Sequence, residues 1–88
     1  MIKKEKANSE TISQLGATRW PIWTKEISEF PWSYDQTEIC LILEGEAIIS
    51  QPDSNDVTIK AGDLVTFQAG LNCYWNIRKA IRKHYTFL

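Results

Sequence analysis

Eighty-eight residues, 43% hydrophobic and 24% charged, are the size of one globular domain and exclude a disordered chain. Ten basic against eleven acidic side chains leave a formal net charge of −1, which gives no broad field to hold nucleic acid or an anionic membrane surface. No apolar run reaches the ~18 residues of a spanning helix. No signal-peptide core follows the basic start, and Cys40 and Cys73 form neither a C-x-x-C nor a zinc-finger spacing, so a cytoplasmic protein with free thiols is expected.

In chain order, Met1 to Ala7 reads as a charged, frayed start. Asn8 to Gly16 carries the marks of one short helix: Asn8 or Ser9 as cap, Ile12 and Leu15 as the apolar stripe, and Gly16 as the left-handed exit. Two turns of helix need a surface to lie on, and residues 1–18 are expected to form an extension packed on a body of residues 19–88. Arg19 to Trp23 contains Pro21 and favours an extended edge or a connection. Lys25 to Tyr34 is extended, and Asp35 to Thr37 is a turn. Glu38 to Glu44 is a short aliphatic run apolar on both faces, the pattern of a central strand. Gly45 allows a tight bend into Glu46–Ser50.

Pro52 to Asp56 closes a hairpin onto Val57–Lys60. Ala61 to Asp63 turns into Leu64–Phe67, and Gln68 to Gly70 turns into Asn72–Ile77. Arg78 to Ala80 is expected as a loop before a last strand, Ile81 to Leu88. Short strands with turns at such spacing predict an all-β sandwich or barrel.

Two stretches in this series carry a family resemblance. Glu38 followed after six residues by Gly45 is similar to the end of the first cupin motif. Gly62, five residues, Gln68-x-Gly70, two residues and Cys73 resemble the second. Trp20-Pro-Ile-Trp23, Glu44-Gly45 and Gly62 to Phe67 are similar to the small cupins grouped with ureidoglycine aminohydrolase. The resemblance implies an all-β, cupin-type jelly-roll barrel with a short N-terminal helix in one domain, residues 1–88. It also implies a metal site of three His and one Glu at the barrel mouth. Of those four positions only Glu38 keeps its usual residue, since Trp32, Tyr34 and Cys73 stand where the histidines belong. Indole N–H only donates, so Trp32 cannot ligate a metal. Glu38, Cys73 and Tyr34 would make a poor mixed site for a divalent transition metal. The expectation is therefore no cofactor, with a metal-dependent enzyme of the ureidoglycine-aminohydrolase kind as the alternative.

If Glu38 faces the barrel interior, strand alternation puts Cys40 and Ile42 there with it and Ile39, Leu41 and Leu43 outside, under a cover of Ile12, Leu15 and Trp20 or of a second subunit. Cys73, Trp75 and Ile77 share a face. Trp32 and Tyr34 share a parity, and the resemblance puts both at the pocket, so Trp32, Tyr34, Glu38, Cys73 and Trp75 are the candidate pocket, an aromatic cup with one carboxylate and one thiol for an amine- or amide-bearing small molecule. Cys73 has no sequence-local base or cation to activate it and reads as a buried thiol of low reactivity. His84 is expected to be half-exposed on the last strand. Arg78, Lys79, Arg82 and Lys83 read as a solvated basic cluster. The expected partner is a small molecule, not nucleic acid or membrane, bound by a monomer or homodimer. A purely structural or partner-binding module, using the apolar outer face, is the third reading.

Overall fold

The computed structural model describes residues 1–88. Its strands are β1 (Ile2–Lys6), β2 (Ile22–Lys25), β3 (Ser28–Ser33), β4 (Glu38–Gln51), β5 (Ser54–Lys60), β6 (Asp63–Phe67) and β7 (Asn72–Phe87), with one helix, α1 (Ser9–Leu15), and a 3-10 turn at Ala17–Arg19. Every pairing is antiparallel. Two long strands, β4 and β7, pair with each other along most of their length. The first half of β4 carries β6, with β1 beyond it, and the second half of β7 carries β2, while the second half of β4 carries β5 and the first half of β7 carries β3. One continuous sheet therefore folds over on itself into the expected jelly-roll barrel.

The fold-over is made by a bulge. Register between β4 and β7 shifts around Glu44 and Glu46, where Gly45 has φ 100°. A Cβ on Gly45 would collide with the Ala80 carbonyl. The extra residue also reverses which face of β4 looks inward: Cys40 and Ile42 line the core before the bulge, Ala47 and Ile49 after it. Gly45 thus bends one strand where a turn between two was expected. Arg78 to Ala80, expected as a loop, likewise belongs to the uninterrupted strand β7.

The interior core joins Cys40, Ile42, Ala47 and Ile49 to Ile59, Val65, Phe67, Leu71, Trp75, Ile77 and Ile81. A smaller cluster lies outside the sheet, where Leu41 and Leu64 meet Ala17, with Ile12, Trp20, Ile39 and Leu43 against them. The N-terminal segment is that cover, as the outward Ile39, Leu41 and Leu43 required. Asn8 accepts the Thr11 amide at 2.8 Å and Gly16 leaves the helix at φ 66°. Leu15 departs from expectation and stays exposed, because the seven-residue helix lays only Ile12 on the sheet.

Met1 to Ala7 also departs from expectation. Residues 2–6 form an edge strand on β6 in the register Ile2↔Phe67 to Lys6↔Asp63. Its lysines concealed it, and charge on an edge is a usual guard against further strand pairing. Lys4 Nζ also donates to the Thr58 carbonyl at 2.9 Å.

Candidate functional site

Four strands supply one cavity of about 210 Å³, a small volume beside the ~300–1,000 Å³ of drug-sized sites. Strand β7 contributes Trp75, Lys83, Tyr85 and Phe87, all on its inward parity. Strand β2 brings Trp23 opposite Lys83, and β3 brings Phe30 opposite Trp75. Trp32 lies further along β3, at the exposed rim.

Tyr34 and Glu38 are set by the turn between β3 and β4. The Tyr34 amide donates to the Leu71 carbonyl at 2.9 Å and the Gly70 amide to the Tyr34 carbonyl at 2.7 Å. The Ala69 amide donates to Thr37 Oγ1 at 3.1 Å. These bonds lock the turn at 34–37 to the one at 68–71. The Tyr34 ring stacks on Phe67, with centroids 4.8 Å apart and planes 5° from parallel.

The polar centre is an ion pair. Lys83 Nζ donates to Glu38 Oε2 at 2.7 Å, and the two side chains are only 5% and 7% exposed. The ammonium also lies 4.7 Å from the Trp23 ring, 5.0 Å from Trp75 and 5.9 Å from Phe67. Cation–π contact of this kind supplies ~0.5–2 kcal/mol and replaces part of the lost hydration. Phe30 stacks on Trp75 at 6.0 Å and 8°, and Trp23 meets Trp75 edge-on at 6.0 Å. The cup is thus a set of rings holding one neutralised pair of charges.

Sequence reasoning placed Lys83 on the solvated surface, whereas it is the chain's one buried lysine. The available signal was parity: Lys83 alternates with Ile81, Tyr85 and Phe87, an apolar set, while Arg82 alternates with His84. Trp23, Phe30, Tyr85 and Phe87 were also not among the expected lining. Of the expected set, Trp32, Tyr34, Glu38 and Trp75 meet at the cavity. Cys73 does not line it: pairing opposite Trp32, it packs in the core and borders a separate shallow groove with Asn72 and Tyr74. His84 is half-buried as expected, and its Nδ1, 2.8 Å from the Trp20 carbonyl oxygen, must carry the proton.

The donor set does not suit a metal. No three His, Cys, Asp or Glu side chains are grouped to hold an ion. Glu38 is already matched by an ammonium. Burial, and after it the Glu38 charge, push the Tyr34 phenol upward, away from phenolate. Burial raises the Cys73 thiol as well, and it raises Cys40 to about 12. Trp75 Nε1–H opposes the shifts at Tyr34 and Cys73, yet it makes a hydrogen bond of proper geometry with neither and is left buried without a partner.

The family described as EutQ-like cupin domain matches residues 12–85. A DUF861-family protein from Thermotoga maritima is 44% identical over 100% of both chains, with a TM-score of 0.97. An ethanolamine utilization protein Q from Salmonella typhimurium is 19% identical, covers 98% of this chain and 68% of its own, and superposes with a TM-score of 0.67. The EutQ protein of Clostridium difficile is 15% identical, over 98% of this chain and 66% of its own, with a TM-score of 0.67. At those identities the last two bear on fold alone. No curated protein sequence matches the chain.

Proposed function

Because this chain belongs to the EutQ-like cupin family, we propose that it binds a small, net-neutral polar metabolite in the aromatic cavity, through the Glu38–Lys83 pair and without a metal. The carrying observation is that pair, joined at 2.7 Å among apolar rings. A carboxylate and an ammonium side by side offer acceptor and donor sites with no net charge. An amide or ureido group answers both, its carbonyl oxygen facing Lys83 and its N–H facing Glu38. The resemblance to ureidoglycine-aminohydrolase cupins points to the same functional group.

A free cationic amine fits less well than the sequence suggested. Lys83 already takes the place that a ligand ammonium would occupy over Trp23 and Trp75. An anion would have to approach Glu38. The cavity volume limits the ligand to a small molecule.

The test is chemical-shift mapping with urea, acetamide and propionamide, alongside elemental analysis of protein purified without chelator. Shifts gathered at Trp23, Trp75 and Lys83 are the expected outcome. Shifts confined to Arg78, Lys79 and Arg82 would overturn the cavity reading. Near one Mn, Fe, Ni or Zn per chain, lost in Glu38→Ala, would overturn its metal-free part.

A further inference from the structure

Lys83 presents a primary amine in an apolar cavity beside a single carboxylate. We propose that this amine forms an imine with a small aldehyde or ketone, with Glu38 carrying the protons. The inference rests on the cavity being the binding site, and adds a covalent step to it.

Three features support the step. Lys83 Nζ is the one amine lining the cavity, and its one hydrogen-bond partner is Glu38. An ammonium has three donors, so two of them are left facing rings and cavity space. Second, a buried ion pair is a weak source of stability, because desolvation offsets most of the attraction. Apolar side chains of similar size would hold the cup as well. Third, the cation is lysine. Arginine would pair with a carboxylate in two parallel bonds but cannot give up its proton, whereas lysine can, and so can become a nucleophile.

The step balances within the pair. Lys83 passes a proton to Glu38, and the neutral amine attacks the carbonyl carbon to form a C–N bond as the C=O π pair moves to oxygen. Proton transfer from nitrogen to that oxygen gives the carbinolamine. Glu38 returns its proton to the hydroxyl, the C–O bond breaks and water leaves. The product is a protonated imine on Lys83 facing the Glu38 carboxylate. The charge is the same before and after, so the cup stabilises the product by the contacts it already makes. Nothing is oxidised or reduced.

The experiment exposes the full chain to propionaldehyde, or separately to acetone, with cyanoborohydride to trap imines, and maps the adducts by peptide mass spectrometry. The expected result is an adduct at Lys83 ahead of exposed Lys3, Lys60 and Lys79, slowed about a hundredfold in Glu38→Gln. Lys83→Arg should lose this adduct and keep the slow surface labelling. Wild-type protein labelled on its exposed lysines with Lys83 unmodified overturns the proposal, whatever the variants do. If acetamide still shifts Trp23 and Trp75 in that case, the imine falls and the binding reading stands. If acetamide leaves them silent too, both fall.

Discussion

Lys83 and Glu38 approach to 2.7 Å inside a shell of indole and phenyl rings, and each charge is tolerable there because the other is present. Removing one partner strands an uncompensated charge, for which the usual loss is about 3–5 kcal/mol. Lys83→Met and Glu38→Leu should therefore each lower stability by that order in urea titration. The double variant should recover most of the loss, since a fully apolar pair needs no desolvation. Losses that simply add in the double variant would show that the two side chains are not coupled. The pair was half legible in the sequence. Glu38 was found because a carboxylate opened an otherwise aliphatic central run. Lys83 was missed because its neighbours Arg82 and Lys79 suggested a solvated cluster, although its parity with Tyr85 and Phe87 set it apart. Cys73 was the reverse case: it shares a strand face with Trp75, but facing inward does not put a side chain at the cavity, and it packs at the edge of the core beside a separate groove.

At the scale of elements, the bulge at Gly45 aligns the two ends of β4. Glu38 can reach the cavity while Ala47 and Ile49 fill the core only if the inward parity switches between them. Gly45→Ala would combine an unfavourable positive φ with a clash against the Ala80 carbonyl. Gly70→Ala has a similar φ, 91°, but open space at its Cβ. Strain of this kind is worth roughly 1–3 kcal/mol. Gly70→Ala should lose about that much, and Gly45→Ala more, with chemical shifts disturbed at both Glu38 and Ala47. Equal losses at the two positions would mean that β7 yields easily and that the bulge is not the fixed point. Strands β3, β5 and β6 and the helix were legible from turn residues and caps, which act locally. Continuity through residues 44–46 and 78–80 was not, because it depends on two distant segments pairing across a shared irregularity. The edge strand β1 was hidden for a related reason: it is held by β6, not by a pattern of its own.

For the molecule as a whole, burying acids in their neutral form ties stability to alkaline pH. Cys40 is held at about 12 in the fold, chiefly by burial, against an ordinary value of 9.0, and Tyr34 is raised well above its ordinary 10.0. The unfolded chain therefore gives up the Cys40 proton from about pH 9 and the Tyr34 proton from about pH 10, while the folded chain keeps both. Over that interval the unfolded state binds fewer protons, so stability falls as pH rises. Each group contributes at most about 1.4 kcal/mol per pH unit, and the Cys40 contribution ends once pH passes its folded value near 12. Between pH 9 and 11 the two together should remove on the order of 4 kcal/mol, a large part of the 5–15 kcal/mol usual for a domain. Urea midpoints measured at pH 7, 9, 10 and 11 should be level to pH 9 and then drop. In Cys40→Val the drop should shrink by about 1 kcal/mol per pH unit between pH 9 and 11, leaving the part that Tyr34 and Cys73 contribute. The slope with pH is the quantity compared, so a general loss from repacking the core does not obscure it. An unchanged slope in Cys40→Val would assign the alkaline loss to other groups and show that this thiol is not held neutral by the barrel.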